Sequence, residues 1–437
     1  MENKINVRRV ALMVLDRIEA AKRYSNIALD AAIEQSGISG ADRGLLTTLV
    51  YGVIERKITL DYQIDKMSSL PPSKIESSVR NALRLGLYQL IYLDRIPDHA
   101  AINESVELVG KRSKGFVNAL LRSFVRTEKR IRLPHEEDIS EYLSVKYSVS
   151  KEICERFCHD IGRERTEAIF SAMNEAPFMT LRTNTLKTRC DDLLALLMRS
   201  GISAEKTSFS KVGIKLSGST PYSLIPGEAE GLWFVQDEAS QLCAAVLGAK
   251  KGEKIIDCCA SPGGKSFSLA MEMENEGEIS SFDLHENKLS LIRRGAERLG
   301  IDIIKAEPRD GRKFDESLLE TADRILCDVP CSGLGVIAKK PDIRYKELTD
   351  IDRLPEIQLS IAENNLRYLK KGGIMVYSTC TVLPSENENN IKILMEKHPE
   401  LSLVPFEAGG IKSEGMLTLY PDEHGSDGFF IAKLRKN

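Results

Sequence analysis

Along the first third of the chain, apolar residues recur every three or four positions. Val7, Val10, Val14 and Ile18 form one such series, and Val79, Leu83, Leu87, Leu90 and Ile91 form another. That period puts each series on one face of an amphipathic helix. Pro71-Pro72 and Pro97 separate the stretches, so residues 1–135 are predicted to be helical. From residue 231 the pattern changes: the apolar runs GEKIIDCCA, GEISSFDL, IDIIKAEP, DRILCDVP and GGIMVYSTC alternate with helical stretches such as NKLSLIRRGAERLG. Short apolar strands alternating with helices predict a doubly wound parallel α/β sheet over 231–437. Between these parts, FMTLRTNTLK and VGIKLSG look like strands around a helix DDLLALLMRSG, which predicts a small α+β subdomain over 136–230. The 437 residues suffice for each part to bury a core.

Charge divides the chain in the same way. Residues 1–135 hold 22 Lys and Arg against 15 Asp and Glu, a balance of +7, so the remainder carries −10 of the net −3. A basic helical module on an acidic catalytic part suits a polyanionic partner. The sharpest basic feature is KRSKGFVNALLRSFVR, where Lys111, Arg112, Lys114, Arg122 and Arg126 surround Gly115, read as a helix start. The N-terminal MENKINVRRVALMVLDRIEAAKR spreads charge through its apolar residues, unlike a signal peptide, and no run reaches membrane-spanning length. A soluble cytoplasmic protein is expected. Nine cysteines without repeated metal-ligand spacing fit a reducing compartment. Cys154 and Cys158, beside His159 on one helix, supply too few ligands for zinc and are read as core, so no metal is expected.

The stretch IIDCCASPGGKS follows the first α/β strand and precedes a helix. Gly263 and Gly264 let backbone approach a ligand, and the helix N-terminus offers free N–H groups. Gly264-Lys265-Ser266 resembles the end of a phosphate-binding P-loop, but the required earlier glycine is replaced by Cys259. An adenosine ligand fits better. Asp283, twenty residues after Gly263 at the end of the second strand, is placed for ribose hydroxyls, and Asp310 after the third strand for the adenine edge. With Asp257, these make a series of acids after successive strands.

Two further strands each end in a cysteine, Cys331 in DVPCSG and Cys380 in STCT. Methylating carbon 5 of cytosine requires a nucleophile to add first at carbon 6, which turns the ring into an enamine, and cysteine suits this. Asp328, three residues before Cys331, can bond the ring's N3 and amino group as charge develops. A second cysteine has a separate use in the elimination that frees the product. Spacing does not choose between the two. In DNA cytosine methyltransferases the cysteine of a Pro-Cys pair attacks, which would name Cys331.

Resemblance to known families adds the choice. LRLGLYQLIYLDRIPDHAAINESVELVGKRSKGFVNALLR resembles the NusB-type RNA-binding domain. DCCASPGGK, DVPCSGLGVIAKKPDIR and STCTVLPSENE, with QDEASQ before and GFFIAKL after, resemble the RNA 5-methylcytosine methyltransferases, in particular the bacterial 16S rRNA branch with a NusB-like front. The resemblance implies a Rossmann-like S-adenosylmethionine-dependent methyltransferase domain, behind an RRM-like middle subdomain. It names Cys380 as nucleophile, Cys331 as the group that helps release product, and Asp328 as the base-gripping acid. S-adenosylmethionine is expected on Cys259, Ala260, Ser261, Pro262, Gly263, Gly264 and Lys265, with its ribose at Asp283, its adenine at Asp310 and its methionine end near Asp328. Ser261 stands where many relatives have alanine, and Lys339-Lys340 where arginines are common.

Cys258 and Cys327, within strands, and Cys190 and Cys243 are read as packing residues. The target base must leave its stack, at roughly a few kcal/mol, least in an unpaired loop. A hairpin loop of 16S ribosomal RNA is therefore the expected substrate, with no obligate protein partner. A transfer RNA cytosine methyltransferase and a non-catalytic RNA-binding protein are the competing readings, the latter disfavoured because Lys265, Asp328, Cys331 and Cys380 are all present.

Overall fold

The structure, a computed structural model, describes residues 6–21, 25–218 and 220–437. Residues 1–5 and 22–24, parts of the N-terminal stretch read for a leader, lie outside the described residues. The chain forms two compact units, Met1–Phe170 with Lys340–Lys346, and Ser171–Lys339 with Glu347–Asn437.

The first unit is helical. Its core takes in Val10, Val14, Val79, Leu83, Leu87 and Leu90, the periodic positions of the sequence. The helices Ile139–Tyr147 and Lys151–Ile161 belong to this unit, and on the second of them Cys154 is buried with its thiol toward Val149 O. The basic helix runs Lys111–Arg126, capped by Gly110. Gly115 therefore lies past the first turn, and its N–H is not among the free donors expected there. Residues 341–345 also seat in this unit. Arg344, 2% exposed, donates to Tyr147 O at 2.8 Å, and Asp342 accepts from Ser25 Oγ at 2.6 Å.

Buried Arg84 organises the centre of the helical unit. Its guanidinium bonds Asp61 through two nitrogens, each at 2.7 Å, and also bonds Glu19. Burial pushes the Glu19 carboxyl up, but Arg84, the Ser77 hydroxyl and Lys57 bring it down to about 2. A carboxyl held below its unfolded value adds stability above that value, lost as pH falls through the folded one. Glu19→Gln should thus cost roughly 1–3 kcal/mol at neutral pH. The difference from wild type should shrink between pH 4.5 and about 2, as read by denaturant unfolding across that range. A difference independent of pH would refute the ionic role.

The second unit holds two main sheets. Strands β1 (Met179–Thr183), β2 (Ala204–Lys206), β3 (Gly213–Leu216) and β4 (Trp233–Val235) form an antiparallel sheet in the order β2-β3-β1-β4. The helix Cys190–Arg199 packs on it through Leu193 and Leu197, which share a core with Leu181, Ile214 and Trp233.

The larger sheet contains β5 (Lys254–Asp257), β6 (Glu278–Asp283), β7 (Ile304–Pro308), β8 (Ala322–Asp328), β9 (Leu369–Thr379), β10 (Leu401–Leu403), β13 (Met416–Leu419) and β14 (Phe429–Lys436). The short hairpin β11 (Phe406–Ala408) and β12 (Ile411–Ser413) stands apart. The order is β10-β14-β9-β8-β5-β6-β7, with β13 on β14. From β7 to β9 every pairing is parallel. Neighbouring residues on these strands serve opposite cores. Ile255, Leu326 and Val376 join one cluster, while Ile256, Ile325, Cys327, Met375 and Tyr377 join the other. Burial on both faces is why the strands read as continuous apolar runs. The expected all-parallel arrangement stops at β9, because β14, the GFFIAKL strand, runs antiparallel beside it.

Candidate active site

Parallel register sets the site. Asp328 on β8 lies opposite Ser378 on β9, so the residues just beyond both strand ends fall side by side. Ser378 Oγ donates to Asp328 Oδ1 at 2.8 Å, and Lys265 Nζ donates to Asp328 Oδ2 at 2.7 Å. Although burial opposes its charge, Asp328 raises the Lys265 ammonium above its ordinary value, so Lys265 stays charged. Lys265 also lies over the Phe429 ring, 5.1 Å from its centroid.

The two cysteines meet beyond these strands. Their sulfurs are 3.1 Å apart, and the Cys380 N–H donates to Cys331 Sγ at 3.2 Å. The bond to the Cys380 sulfur and burial push the Cys331 thiol well above its ordinary range, so Cys331 holds its proton. A buried network fixes the Pro330-Cys331-Ser332 turn. Gln358 Nε2 donates to Pro330 O at 3.0 Å and to Glu386 Oε2 at 2.8 Å, while Ser332 N–H donates to the same carboxylate oxygen at 2.9 Å. Tyr377 OH donates to Glu386 O at 2.6 Å. Glu386 lies in STCTVLPSENE, yet no spacing marks it, because its role depends on a helix remote in sequence. The same holds for Ser378 and Gln358.

The glycine turn follows β5. Gly263 has φ +109°, a conformation that favours glycine, and a Cβ there would sit 2.5 Å from the Phe267 ring. Ala260 N–H donates to Phe282 O at 2.7 Å, fastening the turn against the end of β6. The helix Gly264–Glu272 begins immediately after it. Asp257 does not face this turn as a free acid. It is 1% exposed, accepts from Ser266 Oγ at 2.7 Å, and is pushed up to about 7 by burial, so it serves the interior. Asp283, 8% exposed at the end of β6, accepts from His285 N–H at 3.0 Å. Asp310 is forked by Arg312, whose Nε and Nη2 reach its two oxygens at 2.9 and 2.8 Å, and that bond lowers its carboxyl. Cys259 is pushed well above its ordinary value by its contact with the Cys258 sulfur and by burial, so it lines the turn as an unreactive thiol.

The parallel sheet, the glycine turn after β5 and the strand-end acid Asp283 are the parts of a Rossmann-like fold, which also carries the Lys265–Asp328 pair and the two cysteines. The 16S rRNA methyltransferase RsmB/F family model matches residues 244–435, the NusB family model residues 5–126, and the ferredoxin-like domain model of RsmF/B-like methyltransferases residues 152–223. The probable ribosomal RNA small subunit methyltransferase B of Bacillus subtilis is 40% identical over 99% of both chains. The ribosomal RNA small subunit methyltransferase B of Klebsiella pneumoniae (strain 342) is 34% identical over 100% of this chain and 99% of that one. A methyltransferase homolog from Pyrococcus horikoshii superposes with TM-score 0.60 and 32% identity over 67% of this chain and 97% of its own. The chain belongs to the ribosomal RNA small subunit methyltransferase B family.

Proposed function

We propose that the protein methylates carbon 5 of a cytosine in 16S ribosomal RNA. The observation that carries this reading is the pairing of Cys331 and Cys380, 3.1 Å apart beyond the ends of adjacent parallel strands, beside Asp328. Cys380 attacks carbon 6, forming the S–C6 bond. Asp328 accepts from the ring's amino group and, carrying a proton, donates to N3 as charge develops there, and Lys265 and Ser378 hold Asp328. Carbon 5 then takes the methyl group, its proton passes to water, and the S–C6 electron pair returns to the Cys380 sulfur as that bond breaks, a release that Cys331 assists. When bound, S-adenosylmethionine supplies the methyl group. Residues Cys259 to Lys265 would hold it, with Asp283 on the ribose and Asp310 shared between Arg312 and the adenine edge. The left-handed backbone at Gly263 and the acid at Asp283 fit such a ligand. Phosphate contacts from the basic helical unit should make RNA binding weaken with salt.

Incubating the protein with methyl-labelled S-adenosylmethionine and separated 16S and transfer RNAs, then digesting to nucleosides, should give labelled 5-methylcytidine from 16S RNA only. Label in transfer RNA alone would move the assignment to the transfer RNA reading, and absence of label in both would favour a binding protein. The turn is tested separately. Gly263→Ala must carry a strained φ and displace Phe267, so S-adenosylmethionine affinity measured by calorimetry should fall roughly 10–100-fold. An unchanged affinity would place the cofactor elsewhere.

A further inference from the structure

Three stretches flanking or forming the site converge on one side chain that the chemistry above does not use. Lys339 ends the loop that begins at Cys331, and its ammonium lies between Asp237, from QDEASQ, and Asp427, just before GFFIAKL, the latter at 3.0 Å. Asp237 is fixed in turn, because its Oδ1 caps the helix Glu238–Leu247 through Ala239 N–H at 2.9 Å and accepts from Asp427 N–H at 3.4 Å.

The backbone beside this cluster reaches the nucleophile. Gly335, in the same loop, donates its N–H to Cys380 O at 2.9 Å, and Gly428, next to Asp427, donates to Gly335 O at 2.9 Å. The approach is closer than any side chain allows, since a Cβ on Gly335 would lie 1.9 Å from Gly428 O and 2.9 Å from Cys380 O. Two turns, Val336 N–H to Gly333 O at 2.9 Å and Lys339 N–H to Val336 O at 3.0 Å, make the loop a short stiff arm between Cys331 and Lys339. A closed path therefore runs from Cys380 through Gly335, Gly428 and Asp427 to Lys339 and back along the loop to Cys331. One ammonium holds two carboxylates whose side chains are each only 12% exposed. Burial and the neighbouring Asp237 push the Asp427 carboxyl up to about 7 even beside Lys339, so without the ammonium Asp427 takes up a proton and the ionic tie between the loop and the 427–428 segment is lost.

We propose that Lys339 is a positioning residue for the release half of the reaction: clamped between Asp237 and Asp427, it fixes the 331–339 loop so that Cys331 stands against Cys380. This rests on the roles of the two cysteines proposed above. Attack on carbon 6 needs Cys380 and Asp328, which β8 and β9 place by register, whereas release needs the loop. Loosening the clamp should therefore slow release more than attack.

The test uses the full chain with 16S RNA transcript and S-adenosylmethionine, comparing single-turnover methyl transfer, steady-state turnover and covalent protein–RNA complex on a denaturing gel. In Lys339→Ala, first-turnover methyl transfer should stay within about threefold of wild type, while steady-state turnover falls about tenfold or more and covalent complex accumulates. Lys339→Arg should restore turnover. If Lys339→Ala does not fold, Asp427→Asn alone, which keeps the side-chain shape, is scored by the same measurements and should also accumulate complex. Equal loss of first and later turnovers, or turnover like wild type without complex, overturns the proposal. Cys331→Ala run alongside separates the two levels. If it traps RNA while the clamp variants do not, only the clamp fails; if it traps none, the release role falls and the clamp with it.

Discussion

Cys331→Ala is expected to leave the protein covalently joined to its RNA, while Cys380→Ala joins to none. The sulfurs are 3.1 Å apart, so either could be drawn as the nucleophile from distance alone. The asymmetry lies in their surroundings. Cys331 sits on a turn anchored by Gln358 and Glu386. Cys380 follows directly on β9, beside Asp328 and Ser378. Removing Cys380 takes away the S–C6 bond, so methyl transfer should fall by at least about 10⁴-fold, as for other lost nucleophiles. Removing Cys331 leaves attack and methyl transfer possible but slows the breaking of S–C6, so one methyl group per protein should appear on RNA and the complex should resist denaturant. The double variant should form no complex. If Cys380→Ala traps RNA and Cys331→Ala does not, the roles are exchanged, as the Pro330-Cys331 pair would suggest from DNA cytosine methyltransferases.

How much of this was legible before the structure differs by element. Strand ends were legible, because a strand buried on both faces must be an apolar run, and the first polar residues after it mark where a ligand meets the sheet. That logic placed Asp283 and Asp328 at strand ends and Cys331 and Cys380 just beyond them, where the structure has them. It did not show that β14 runs antiparallel, since an apolar run carries no direction. It also grouped Asp257 with Asp283 and Asp310, although the three acids have different surroundings. Asp257 is turned into the interior on Ser266, and Asp310 is occupied by Arg312. Nor could a local reading separate Pro341–Tyr345 from the cysteine loop with which it is contiguous, because its partners, such as Tyr147 and Ser25, lie far away in sequence within the helical unit. Ser378, Gln358 and Glu386 were missed for the same reason: each acts on a residue that only folding brings near.

Asp328→Asn is expected to lower the single-turnover rate roughly 10²–10³-fold, in the range seen when one preorganised group facing developing charge is lost. The substitution keeps the shape of the side chain, so the strands should stay in register, although leaving the buried Lys265 ammonium without its carboxylate should lower the melting temperature. What it removes is the carboxyl that accepts from the cytosine amino group and can deliver a proton to N3 as negative charge develops there when sulfur adds to carbon 6. It also strips Lys265 of the carboxylate at 2.7 Å that keeps its ammonium charged against burial. Lys265 and Asp328 should therefore behave as one unit. In a double-mutant cycle with Lys265→Met, the combined loss should be close to the larger single loss rather than the product of the two. The covalent complex adds a second readout. If Asp328 acts at the addition step, Asp328→Asn introduced into the Cys331→Ala protein should slow complex formation by the same factor by which it slows methyl transfer. Complex forming at the undiminished rate would move Asp328 away from the base and leave it only as the counter-ion of Lys265.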